Sequence, residues 1–232
     1  MRAILIPVKD LSRAKQRLAS LLGQAERTAL ARAMLEDVFA AVAAVRAVDA
    51  VFVVSSDTGA LEKAGRLGWE TLLEHSQVSE SASVDLASRI CAERGVSALL
   101  RLPIDIPSVQ SSDIDSLFAA AGPAPSAVLV PSRDAEGTNA LLRTPPALFP
   151  SHFGPGSLSK HIAEARQAGA HVEIVRNPRL ELDLDEESDV RAFLAGGHRE
   201  TATSACLLRF FPESRLESPA GIEAAGERLA GE

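Results

Sequence analysis

The chain has 232 residues, 46% hydrophobic and 24% charged, enough to bury the core of one globular catalytic domain. A net charge of −7 and a pI near 5.3 argue against a general nucleic-acid or acidic-membrane surface, so an anionic ligand has to be held locally. The two cysteines, Cys91 and Cys206, are far apart, no secretory leader follows Met1, and no long apolar run can span a bilayer; a cytoplasmic protein with reduced thiols is expected.

In chain order, strands and helices alternate. Ala3 to Val8 reads as a strand, Ser12 as the cap of a helix to about Leu22, and Glu26 to Val45 as a helix with Leu30, Met34, Leu35, Val38 and Val42 at helical spacing. Strands follow at Ala50–Ser55 and Trp69–Leu73, with a helix between them to about Leu67 and another from Ser83 to Glu93. The apolar run from Val96 to Leu102 reads as a buried parallel strand, then a helix from about Ser111 to Ala121 and a loop at Gly122-Pro123-Ala124-Pro125. Ala127–Val130 and Asn139–Arg143 are strands, Ser157 caps a helix to Gln167, and His171–Val175 and Leu180–Leu184 are strands. Glu186–Leu194 is the last helix before a tail from about residue 201 that turns rich in Ala, Glu, Ser and Gly. The pattern predicts a mostly parallel, doubly wound sheet in residues 1–200, with 201–232 as a docking or partly disordered tail.

Five stretches carry possible chemistry. In Leu102-Pro103-Ile104-Asp105-Ile106-Pro107 a carboxylate sits between two prolines just past a strand end, where ligand sites of open α/β sheets lie. Asp105 is therefore a candidate metal ligand, or else an ordinary strand-end aspartate. Lys9, Arg13, Lys15 and Arg17 place four cations in nine residues after the first strand, suited to phosphates at a helix start or to a solvated basic face.

In Leu180-Glu181-Leu182-Asp183-Leu184-Asp185 a strand's period of two would put Glu181, Asp183 and Asp185 on one face, able to share a cation such as Mg²⁺, or leave them on a polar edge. Glu136-Gly137-Thr138-Asn139 reads as a polar turn. Phe153-Gly154-Pro155-Gly156-Ser157 is a glycine loop feeding a helix, a cradle for an anion or a tight turn with a serine cap. His75, His152, His161, His171 and His198 show no metal spacing and read as surface or packing residues.

Taken together these blocks resemble the 2-phospho-L-lactate and phosphoenolpyruvate guanylyltransferases of coenzyme F-420 biosynthesis. Pro7-Val8-Lys9, Ala14-Lys15-Gln16-Arg17-Leu18, the LPxDxP block, Gly137-Thr138-Asn139, FGPGS and Leu182-Asp183-Leu184-Asp185 occur in that family's order over residues 1–195. The resemblance implies an α/β, Rossmann-like fold of the GT-A nucleotidyltransferase type, a mostly parallel mixed sheet with helices on both faces. It implies Mg²⁺ or Mn²⁺ on Asp105, Asp183 and Asp185, with the acceptor acid on Thr138, Gly154 and Ser157. GTP is then expected over Lys9, Lys15 and Arg17, and phosphoenolpyruvate, 2-phospho-L-lactate or 3-phospho-D-glycerate as the small phosphorylated carboxylic acid. A nucleic-acid or membrane partner is not expected, and a homodimer stays open. One segment departs from the family: Ser79-Glu80-Ser81-Ala82-Ser83-Val84-Asp85 stands where many members have Gly-Leu-Asn. The alternatives are a nucleotidyltransferase of the same fold using CTP or a sugar phosphate, and a non-catalytic nucleotide-binding protein.

Overall fold

The structure, a computed structural model, describes residues 1–76, 78–197 and 200–211. A single seven-stranded sheet runs through it: β1 (Arg2–Val8), β2 (Ala50–Ser55), β3 (Glu70–Leu73), β4 (Ala98–Arg101), β5 (Ser126–Pro131), β6 (Thr138–Thr144) and β7 (His171–Ile174). The spatial order is β3-β2-β1-β4-β6-β5-β7. All neighbouring pairs are parallel except those of β6, which runs against both β4 and β5.

The helices are α1 (Gln24–Ala43), α2 (Thr58–Arg66), α3 (Glu80–Glu93), α4 (Ser111–Ala119), α5 (Ser157–Gln167), α6 (Pro178–Glu181), α7 (Glu187–Ala195) and α8 (Ala202–Phe210). They cover both faces of the sheet, which is why β1 is apolar on both sides. Ile4, Ile6 and Val8 pack into one core with α1, α4, α7 and α8, while Ala3 and Leu5 pack into another with Val84, Ala87 and Cys91 of α3. A third cluster lies between α5 and the β5–β6 pair. α8 is tied down as well. Asp37 of α1 accepts the Ala202 and Thr203 amides at 2.8 Å, and Leu207 is buried, so this part of the expected tail packs on the main core. The rest of that tail, from 212, lies outside the described residues, as does His198.

Two expected elements differ. The helix expected from Ser12 to Leu22 is instead two 3-10 turns, Leu11–Arg13 and Gln16–Leu18, joined at Lys15, which sits at φ 54. A left-handed residue interrupts the i→i−4 ladder, and Lys15 takes that conformation as its side chain turns inward to an ion pair made across the fold. The strand expected at Leu180–Leu184 is the one-turn helix α6 followed by extended chain. Pro178 at its start and the Asn177 cap favour the turn, and the extended part gains one backbone bond, Leu184 N–H to Asp105 carbonyl at 2.8 Å. Glu181 consequently leaves the expected carboxylate face and pairs with Arg176 at 2.8 Å. Leu182 and Leu184 still point into the core, so Asp183 and Asp185 still share the other side.

Candidate active site

After β3 the chain skips back across the sheet to place β4 beside β1, so connections from these two neighbours leave in opposite directions. Such a switch point opens a crevice at the strand ends. A cleft of about 840 Å³ lies there, within the range of small-ligand sites. Because β6 runs antiparallel, its first residues, Thr138 and Asn139, also reach this edge. All nine sequence-predicted site residues line the cleft: Lys9, Lys15, Arg17, Asp105, Thr138, Gly154, Ser157, Asp183 and Asp185.

They fall into two groups. Lys15 is at the centre of the first, with its side chain only 7% exposed and its Nζ 2.7 Å from Asp185 and 3.7 Å from Asp105. Burial would lower the Lys15 pKa, but Asp105 and Asp185 outweigh it and hold the ammonium above its ordinary value. Burial raises Asp105, with Lys15 opposing; at Asp185 the lysine wins and holds the carboxyl down. Asp183 has no cation in contact among the described residues and is pushed up to about 6, by burial first and then by Asp105 and Asp185.

The basic stretch does not act as one surface. Arg17 points outward to Glu186 at 3.3 Å, and Lys9 on the rim pairs with Glu80 at 3.2 Å. The expected helix N-terminus at Ser12 is not formed, so phosphate binding by helical amides there is not supported.

The second group is the glycine loop and β6. Gly154, which lines the cleft, has φ +119, and a Cβ built on it would meet no atom within 4 Å, so the space beside it is open. Gly156, not Ser157, caps α5; Ser157 is the first helical residue. The Ser157 amide donates to Gly154 carbonyl at 3.1 Å and the Leu158 amide to Glu136 carbonyl at 3.2 Å. These amides are therefore spent inside the loop, and it is the buried Ser157 hydroxyl, 3.2 Å from Thr138 Oγ1, that belongs to the cleft wall.

Sequence reasoning overlooked four residues. Asn139, quoted in a motif but given no role, donates to the Leu180 and Glu181 carbonyls at 3.0 Å and lies 3.3 Å from Asp183 Oδ1, so it fixes the turn that delivers Asp183. Arg101, buried at the end of β4, donates to Asn139 carbonyl at 2.9 Å, lies 4.1 Å over the Phe153 ring and ion-pairs with Glu80. Glu80 itself is the residue of the departing segment that faces the cleft, held ionised by Arg101 and Lys9 against its burial. His161 lies one turn after Ser157, and that i, i+4 spacing was the available signal.

Among the described residues no three acidic, histidine or cysteine side chains stand as a ready-made metal site. The donor set nonetheless fits a hard cation. One ammonium serves two of the three carboxylates, and the third, Asp183, is raised by burial first and then by Asp105 and Asp185, so the cluster is short of positive charge. A Mg²⁺ ion commonly takes one or two carboxylates and completes its shell with substrate phosphates and water.

Residues 1–211 match the family of CofC-like guanylyl transferases. The chain belongs to this family. It is 36% identical over 192 residues to the phosphoenolpyruvate guanylyltransferase of Rubrobacter xylanophilus, a match covering 83% of this chain and 93% of that one. It is 34% identical over 193 residues to the 2-phospho-L-lactate guanylyltransferase of Methanothermobacter thermautotrophicus, covering 83% and 84%. Among solved structures, one described as a nucleotide-diphospho-sugar transferase from Desulfovibrio desulfuricans superposes with a TM-score of 0.75 over 97% of both chains at 17% identity, which establishes the fold alone. No helix among the described residues is long and apolar enough to cross a membrane.

Proposed function

We propose that this CofC-like chain transfers GMP from GTP to a small phosphorylated carboxylic acid, phosphoenolpyruvate, 2-phospho-L-lactate or 3-phospho-D-glycerate, with release of pyrophosphate, as a step of coenzyme F-420 biosynthesis. The observation that carries this reading is the cleft itself, which sets an under-neutralised carboxylate cluster opposite a neutral loop shaped for close approach of an anion.

Asp105, Asp183 and Asp185 would hold Mg²⁺ or Mn²⁺, which supplies charge neutralisation for the nucleotide phosphates. Lys15, buried and charged, holds the Asp185 carboxyl below its ordinary value and offers an N–H to a phosphate oxygen. Lys9 and Arg17 on the rim attract the polyanion through more solvent and contribute less. Thr138, Ser157 and the open side of Gly154 receive the acceptor. An oxygen of the acceptor phosphate forms a bond to the α-phosphorus of GTP while the bond to the β-phosphate oxygen breaks, and pyrophosphate leaves with the electron pair. The acceptor is mostly dianionic at neutral pH, since a phosphomonoester's second pKa is about 6, so no general base is required. Holding the two substrates in line and neutralising charge supplies the acceleration.

Mass spectrometry of products after incubation with GTP, Mg²⁺ and each of the three acids tests the reading. A guanylylated acid together with pyrophosphate is expected. Turnover only with CTP or a sugar phosphate would replace it by the cytidylyl alternative, and nucleotide binding without any product by the non-catalytic one.

A further inference from the structure

The hydrogen bonds of Thr138 and Ser157 continue behind the acceptor half of the cleft to a histidine that the mechanism above does not use. His161 is fully buried on α5. Its Nε2 accepts the backbone N–H of His152 at 2.8 Å, so Nε2 carries no proton and a neutral ring must carry its proton on Nδ1. Nδ1 lies 3.0 Å from Thr138 Oγ1 and therefore donates to it. Ser157 Oγ is 3.2 Å from the same oxygen.

The ring has little freedom to turn. Phe153 packs edge-on with centroids 5.1 Å apart and Phe149 lies at 6.2 Å, while the His152 segment is itself anchored by the 2.9 Å contact of His152 Nε2 with Glu164. Burial, then the charges of Arg143, His152 and Arg101, push the His161 pKa down to about 3, so the ring stays neutral at any working pH.

We propose that His161 is a positioning residue that makes the Thr138–Ser157 hydroxyl pair a donor toward the acceptor's anionic oxygens. The argument is a count of protons. The two hydroxyls bring two O–H groups, and one is consumed between them. Because His161 Nδ1 arrives as a donor, it fills a lone pair of Thr138 and cannot take the other proton. No carbonyl or carboxylate among the described residues takes it either, and both side chains line the cleft. One O–H is thus left to point at the substrate. With the opposite tautomer the leftover proton would turn inward to Nδ1, and the cleft would face the anion with lone pairs. This inference rests on the reading that an anionic acceptor binds here.

Three variants and one spectroscopic measurement test it. His161→Leu keeps the bulk and removes the donor, and should raise the KM for phosphoenolpyruvate roughly 10-fold or more, the usual weight of a hydrogen bond to a charged group, with the KM for GTP unchanged. His161→Asn can place an amide N–H near the Nδ1 position and should recover most of the loss. In a Thr138→Val background, His161→Leu should cost little further, because the hydroxyl it orients is gone. Equal penalties in both backgrounds, parallel loss for both substrates, or an Asn variant as impaired as Leu would reduce His161 to a packing residue. Should the Leu variant not fold, ring ¹⁵N shifts of the wild-type protein report the tautomer directly; a proton on Nε2 overturns the proposal. Absence of turnover in the wild type with all three acids would instead sink the guanylyltransferase reading, so the two failures are separable.

Discussion

The two walls of the cleft solve opposite problems. The carboxylate wall is charged and incompletely neutralised: Lys15 serves Asp105 and Asp185, and Asp183 is left raised to about 6. Its residues come from three separate segments and sit on turns and extended chain, not on a strand ladder. The β6–α5 wall is neutral and hydrogen-bonded internally through Thr138, Ser157 and His161 on regular elements. One wall leaves part of its negative charge uncompensated, and the other carries no charge and bonds largely within itself. Charge that is short of a partner binds strongly, whereas a preorganised neutral wall discriminates.

The sharpest way to break this contrast is to remove charge from the first wall. Asp105→Asn or Asp183→Asn should each lower kcat by about 10² or more while the fold persists. Near-wild-type turnover at limiting Mg²⁺, followed by pyrophosphate release, would take that residue out of the proposed cation site. A steric change in the second wall should act on binding. Gly154→Val places a branched side chain at φ +119 on the open side of the loop, and should raise the KM for the phospho acid about 10-fold while leaving that for GTP nearly unchanged. A rise for GTP alone would mean that the loop serves the nucleotide.

The charged wall should also depend on a remote anchor. Asp113 of α4 accepts Asn177 Nδ2 at 2.8 Å and Arg179 Nε at 2.7 Å, fixing the start of α6 that leads into Asp183 and Asp185. Asp113→Asn should cost about 1–3 kcal/mol of stability in chemical denaturation at neutral pH. Burial opposes ionisation at Asp113, but the bonds from Arg179 and Asn177 prevail and hold its pKa below the usual carboxylate value. A depressed folded pKa gives stability that is present above the unfolded value of about 4 and is lost as pH falls through the folded one, so the gap between variant and wild type should shrink as pH falls below about 4. A gap that persists in acid would assign the effect to packing. The smallest effect is expected at Arg17→Ala: an exposed pair with Glu186 should change stability by less than about 0.5 kcal/mol, and the KM for GTP should rise about 3-fold in a salt-dependent way. A larger, salt-insensitive rise would place Arg17 in direct contact with the nucleotide.

Much of this molecule was legible in the chain alone, for definite reasons. Runs such as Ala3–Val8 and Ala50–Ser55 are apolar on both faces because helices cover both, and a carboxylate after a strand between two prolines has few places to go except the crevice. The alternation of leucine and aspartate over 182–185 survives even without a ladder, since burying Leu182 and Leu184 alone turns Asp183 and Asp185 to the other side. What local sequence could not decide was anything set by a partner far along the chain. The helical propensity of residues 12–22 yields to Lys15 reaching across 170 residues to Asp185. The turn at Pro178–Glu181 replaces a strand because Asn139 and Asp113 hold it there. Whether His161 packs or orients depends on which of its nitrogens meets a backbone N–H, and that is decided by the fold around the ring, because hydrogen-bond direction belongs to a geometry and not to a residue type.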